Sequence, residues 1–198
     1  LSVTATGESV LRGTPLPGAI LTRIATSHIR VGTFQYAAAL GDKENLSQLL
    51  AYTVDRHFPE LRDSDDLPFA FFQAVLDRQA DLISRWMLVG FVHGVMNTDN
   101  VSIAGETIDY GPCAFLDAYH PETVFSSIDH QGRYAFQNQP SITQWNLARL
   151  AESLLQIVPG NPEDVLEKFV KILETFSSCY EKYFQIGANA KLGLTTLE

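Results

Sequence analysis

The sequence predicts a mainly α-helical domain with short β hairpins, an α+β chain forming one domain over residues 1–198. Three observations carry that prediction. Apolar residues recur at helical spacing over long stretches at 44–57, 68–89, 141–157 and 162–184. Extended segments are confined to residues 1–35 and to a loop-rich middle at 91–136. A chain of 198 residues with 45% hydrophobic and 19% charged residues suffices for one well-buried core.

Residues 1–35 are rich in Gly, Pro, Thr and β-branched residues. Leu1–Val10 is polar and mixed, unlike a signal peptide. Ala19–Ala25 reads as a strand and His28–Gly32 as a second extended piece. Thr33 is expected to cap a helix through Tyr36–Leu40, with Gly41 as its stop. The segment 36–90 is helical. Leu46, Leu49, Leu50 and Val54 line one face up to Pro59, and a charged loop follows at Asp63–Asp66. A long helix then runs over about 68–89 with Phe71, Val75, Leu76, Ala80, Leu82, Ile83, Trp86 and Met87 on a broad apolar face. Between 91 and 136 only Val101–Ile103 and Thr107–Ile108 look strand-like. Gly, Asn and Asp separate them, the composition of loops that carry chemistry on a rigid frame. From 137 to 198 the helical pattern returns as one helix over Ser141–Ile157 and another over Pro162–Phe184, with Val165, Phe169, Ile172, Leu173, Phe176 and Tyr180 as the apolar set of the second.

A net charge of −9 repels nucleic-acid backbones, so no nucleic-acid partner is expected. No apolar run is long enough to span a bilayer, so no membrane partner is expected either. Two cysteines, Cys113 and Cys179, make no disulfide framework and suggest a reducing compartment. His28, His57, His120 and His130 have no zinc spacing with either cysteine.

The segment His93-Gly94-Val95-Met96-Asn97-Thr98-Asp99-Asn100 begins where the long helix ends. A short hairpin follows, then Asp109-Tyr110-Gly111. Kinase-like enzymes have this order: a catalytic loop that opens on His and closes on Asn, a hairpin, then an Asp-Phe-Gly motif. The fold expected is therefore protein-kinase-like, largely its helical C-lobe. Magnesium prefers oxygen ligands, and the amide of Asn100 with the carboxylate of Asp109 supplies two. Valine at 95 stands where ordinary kinases hold the catalytic Asp and cannot accept a proton, so Asp99 beside Asn100 is the nearest replacement base. Arg23 and Arg30 are the phosphate clamps at hand, since a guanidinium fork matches phosphate oxygens. Singly, Asp99, Asn100 and Asp109 are also ordinary turn residues; their order is what points to a site. His93 is read as a brace for the loop, Trp86 and Trp145 as packing residues, and Tyr110 as packing beneath the metal loop.

These motifs resemble the SelO (YdiU) family of protein adenylyltransferases. The likeness spans roughly residues 1–160 and rests on Arg23–Phe34, His93–Asn100, Asp109–Phe115, Phe125–Asp129, and Gln139-Pro140 through Trp145–Ala151. It implies a kinase-like fold, ATP bound in reversed orientation, and transfer of AMP to Ser, Thr or Tyr hydroxyls of protein substrates. Mg2+ or Mn2+ is the implied cofactor. Carried to matching positions, Asp99 is the base, Asn100 and Asp109 hold the metal, and Arg23 and Arg30, with Asp109, contact the nucleotide. The compartment implied is the bacterial cytoplasm or the eukaryotic mitochondrion. The family's phosphate-binding Lys, its Glu partner and its C-terminal region find no counterpart here, so the chain reads as a fragment. Two other functions share the same residues: phosphate transfer by an atypical kinase, and nucleotide binding by an inactive pseudokinase.

Overall fold

The computed structural model describes residues 2–194. Most of these residues are helical, as the periodicity predicts, with two small antiparallel sheets. Among the described residues, no helix is long and apolar enough to cross a membrane.

The N-terminal region departs from expectation. Strands β1 (Ser2–Arg12) and β2 (Thr14–Thr22) form one long antiparallel hairpin, paired from Ser2↔Thr22 to Arg12↔Thr14 with a register shift between Ala5 and Ser9. The polar opening is thus a strand, and β2 starts before Ala19 and stops short of Arg23. The hairpin adds little to the core: Val3, Leu11, Ile20 and Leu21 are all more than half exposed. Without a buried face it has no strict alternation of apolar and polar residues, the pattern by which a strand is read from sequence.

Helix α1 (Val31–Ala39) begins two residues earlier than the Thr33 cap predicted for it. Thr33 sits within its first turn, where its hydroxyl accepts a bond from the Arg30 backbone N–H at 3.0 Å. Helix α2 (Lys43–His57) is capped by Asp42, whose carboxylate accepts from the Glu44 and Asn45 amides. Helix α3 (Leu67–Val89) is the spine of the molecule and ends at Gly90, which is left-handed at φ 69°. Strands β3 (Phe91–Val92) and β4 (Ala114–Phe115) pair next. Helix α4 (Gln139–Leu154) and a 3-10 turn at Leu155–Ile157 follow. The last predicted helix is two, α5 (Pro162–Glu174) and α6 (Phe176–Leu192). The break falls at Thr175, whose hydroxyl donates to Ile172 O at 2.7 Å. A side chain that bonds a nearby carbonyl competes with the helix ladder, and no Gly or Pro announces this stop.

Helices α1 to α6 share one core. Val31 and Phe34 of α1, Leu46 of α2, Phe71, Phe72 and Leu76 of α3, Leu147 of α4 and Phe169 of α5 are buried in it. Each fully buried large side chain contributes about 1.5–3 kcal/mol. A smaller cluster of Ile83, Trp86, Phe91 and Met96 sits at the C-terminal end of α3, directly beneath the loops that follow.

Candidate active site

The loops start from a narrow neck. Phe91 pairs with Phe115 and Val92 with Ala114, so the two ends of the excursion from His93 to Cys113 lie side by side, while Val101 and Ile103 in its middle are buried in the helical core. Buried polar side chains fix its base. Gln139, fully buried at the start of α4, accepts from the His93 backbone N–H at 2.9 Å and donates to Phe91 O at 2.8 Å. Asn146, on the same helix and also fully buried, donates to Met96 O at 2.8 Å. Buried polar groups held in this way specify a single backbone path, because breaking any bond strands a partner away from water.

His93 ties the two ends of the excursion together. Its ring is 1% exposed, stacks on Trp86 with centroids 5.4 Å apart, and sits 2.7 Å by Nε2 from the Ile108 carbonyl. A carbonyl only accepts, so Nε2 carries the proton, and Nδ1 accepts from the Val95 N–H at 3.4 Å. Burial pushes the imidazole pKa down, which keeps the ring neutral. Trp86 in turn donates to Thr107 Oγ1 at 2.9 Å. His93 is the brace expected from sequence, and Trp86 is the packing residue expected beside it.

Gly94 sits at φ 86°, and a Cβ there would come within 3.0 Å of Pro112 Cγ, so glycine alone lets this loop meet the Asp109–Pro112 turn. Residues Thr98–Asn100 form a 3-10 turn. The Asn100 side-chain NH2 donates to Val95 O at 2.9 Å, which fixes the amide and leaves its Oδ1 as the group's acceptor. Asp99 is exposed, and its carboxylate lies against Gly32, in the first turn of α1. A Cβ on Gly32 would fall 2.2 Å from Asp99 Oδ1. Asp109 is the one non-glycine residue at positive φ among those described, at 57°. That left-handed backbone is a strained choice kept at a loop tip, where the exposed carboxylate faces solvent.

The two arginines flank this tip. Arg30 pairs as an antiparallel bridge with Ser102, two residues past Asn100, and the flanking bonds Val31 N to Val101 O and Ile103 N to Ile29 O are both 3.0 Å. Arg23 lies over the Tyr110 ring, 5.7 Å from its centroid. Each arginine keeps a buried Nε with no hydrogen-bond partner. Tyr110 itself is 49% exposed, so it does not pack beneath the loop as the sequence suggested; it forms one wall of a cavity of about 820 Å3 with Arg23, Thr26, Glu106 and Ile108. The strands expected at Val101–Ile103 and Thr107–Ile108 reduce to isolated bridges, Val101↔Thr107 between them and Ser102↔Arg30. Trp145, read as packing, is 39% exposed and lies between the guanidinium groups of Arg133 and Arg149. Among the described residues no three or more His, Cys, Asp or Glu side chains gather into a metal cage.

Sequence reasoning did not single out Gln139, Asn146, Thr26, Glu106 or Gly32 for these roles. Gln139 opens a recognisable motif, but nothing in its neighbours tells that it reaches back to the neck. Gly32 lies within the Arg23–Phe34 motif, and its closeness to Asp99 is a tertiary fact.

The sequence matches the family described as protein adenylyltransferase SelO over residues 1–198. It is 58% identical over 194 residues to the protein nucleotidyltransferase YdiU of Alcanivorax borkumensis, covering 98% of this chain and 40% of that protein. It is 55% identical over 198 residues to the protein of the same name from Rhizobium rhizogenes, covering all of this chain and 39% of that protein. The chain therefore spans about 40% of the length of the curated relatives it matches. With a family match from the first residue to the last and relatives this similar, the chain belongs to the SelO family of protein adenylyltransferases.

Proposed function

We propose that this chain carries the catalytic loops of a protein adenylyltransferase, which moves AMP from ATP to a Ser, Thr or Tyr hydroxyl of a protein with a divalent cation, Mg2+ or Mn2+. The helical body would then be the larger lobe of a protein-kinase-like fold. The observation that carries this reading is the pair of orphaned Nε atoms on Arg23 and Arg30, the first residue lying over Tyr110 next to Asp109 and the second pairing with Ser102, two residues past Asn100. A buried guanidinium nitrogen without a partner is costly, and an anionic ligand such as a polyphosphate would relieve it.

The donor set suits a hard cation. Asn100 Oδ1 and the Asp109 carboxylate are both oxygen donors, and two protein ligands leave room for phosphate oxygens and water, the usual arrangement for magnesium. A cation held there neutralises charge on the phosphates. Asp99 takes the proton of the acceptor hydroxyl. The hydroxyl oxygen then forms a bond to the α-phosphorus, the bond from that phosphorus to the bridging oxygen breaks, and pyrophosphate leaves with the electron pair. Arg23 and Arg30 steady the negative charge of the phosphates, each charge-assisted bond contributing about 1.5–3 kcal/mol.

The test uses full-length protein and ATP labelled at either the α or the γ phosphate. Label on acceptor protein from the α position is expected. Label from the γ position alone would mean phosphoryl transfer and would reject AMP transfer.

A further inference from the structure

Between β2 and α1 the chain has no regular secondary structure, yet it carries Arg23 at one end and Arg30 at the other. The two ends are held differently. Arg30 is fixed by backbone pairing to Ser102, and Ser27, three residues before it, is pinned by His57, with Nε2 and Oγ 2.7 Å apart in a buried contact. The Arg23 end has no such support. Ile24 is 87% exposed, so burial anchors nothing there.

What does hold that end is Thr26. Its backbone N–H donates to Glu106 Oε2 at 3.1 Å, and its hydroxyl also hydrogen-bonds the Glu106 carboxylate. Its carbonyl accepts from Arg56, at 2.6 Å from Nη2 and 3.1 Å from Nε. Every hydrogen-bonding group of Thr26 is thus occupied. Glu106 lies on the turn joining Asn100 to Asp109, immediately before Thr107, whose backbone pairs with Val101. The carboxylate therefore fastens the arginine segment to the same loop that presents both oxygen donors. Glu106, Thr26, Arg23 and Tyr110 all line the cavity of about 820 Å3 between them.

We infer that Glu106 is a positioning residue: by latching Thr26 it sets where Arg23 stands relative to the Asn100–Asp109 loop, and so sets the nucleotide affinity of the cavity. This rests on the phosphate role proposed above for Arg23. Each carboxylate oxygen of Glu106 accepts one bond from Thr26, and its effect on the nucleotide is exerted through Arg23.

A double-mutant cycle tests this, read as the calorimetric affinity of full-length protein for ATP with Mg2+. Glu106→Ala is expected to weaken binding roughly tenfold, the scale of a lost charge-assisted bond. Glu106→Gln can still accept from the Thr26 amide and donate to its hydroxyl, and stays within about twofold of the parent. Thr26→Val keeps the amide bond alone and loses about threefold. In an Arg23→Ala background, Glu106→Ala costs nothing further. A normal thermal midpoint in each variant confirms folded protein, as expected for an exposed contact. An equal loss from Glu106→Ala with and without Arg23, or no loss while Arg23→Ala does weaken binding, overturns the latch alone. If Arg23→Ala leaves affinity unchanged, the phosphate assignment falls and the latch falls with it.

Discussion

The two halves of the candidate site are built by opposite means. The excursion from His93 to Cys113 is fastened from below by side chains with almost no exposure, His93, Gln139 and Asn146. The arginine segment from Arg23 to Arg30 is fastened at its Arg23 end by bonds at the surface, Thr26 to Glu106 and Arg56. A hydrogen bond in a dry interior is expensive to lose, whereas one at the surface can be replaced by water. The donors proposed for the metal are therefore set by the fold itself, as is Arg30 through its backbone pairing, whereas Arg23 is set by adjustable contacts. The halves also meet beside the proposed base, where the Asp99 carboxylate rests on Gly32.

Breaking that meeting point gives the largest expected effect. Asp99→Ala should cut AMP transfer by about 10²–10⁴-fold, the range for loss of a general base, while unfolding free energy changes by less than about 0.5 kcal/mol, because the residue is exposed. Undiminished turnover in a single-turnover assay would remove Asp99 from the mechanism. Next comes Gln139→Ala, which strands the His93 N–H and the Phe91 carbonyl in the interior. It should lower stability by about 2–4 kcal/mol in urea denaturation. If it costs no more than Thr26→Val, expected at about 0.5 kcal/mol or less, the contrast between the halves disappears.

Gly32→Ala sharpens the comparison from the other side. Gly32 is helical and not left-handed, so alanine should suit α1 and add up to about 1 kcal/mol of stability. The added Cβ would displace the Asp99 carboxylate, and turnover should drop roughly tenfold, a modest misplacement of a reacting group. A variant that is both more stable and fully active would mean Asp99 needs no such seat. The smallest effect is a pH response. Burial lowers the pKa of His93, and of His57 as well, below the ordinary value of 6.5. The unfolded chain then binds more protons below that value, so stability is complete above it and declines as pH falls toward the depressed folded values. The slope is at most about 1.4 kcal/mol per pH unit for each ring. A thermal midpoint that stays flat from about pH 7.5 to about pH 5.5 would contradict two buried neutral imidazoles.

The helices were legible because each buries a continuous apolar stripe, and the stripe on α3 is the core as observed. Asp99, Asn100 and Asp109 stood out because motif order survives without coordinates. The hairpin β1–β2 was only half legible, since a ribbon with both faces bare leaves no alternation to read. The split at Thr175 was silent because a hydroxyl bond, and not a breaker residue, causes it. Glu106 and Gln139 were silent for a common reason. A lone polar residue has no period, and its partner lies far along the chain, at Thr26 in one case and at the neck in the other. Tyr110 was misjudged because analogy gave the position but not its surroundings, and the Arg23 guanidinium holds the ring outward.

The strand pair at the neck has a consequence for how such a protein can change over generations. Since Phe91 and Phe115 sit side by side, the two ends of the segment between them share one socket, while Val101 and Ile103 root its middle in the helical core. Its exposed residues, such as Asp99 and Asp109, can be exchanged while the socket, the rooted middle and the helical scaffold keep the same form. Reaction chemistry can thereby diversify on an unaltered frame.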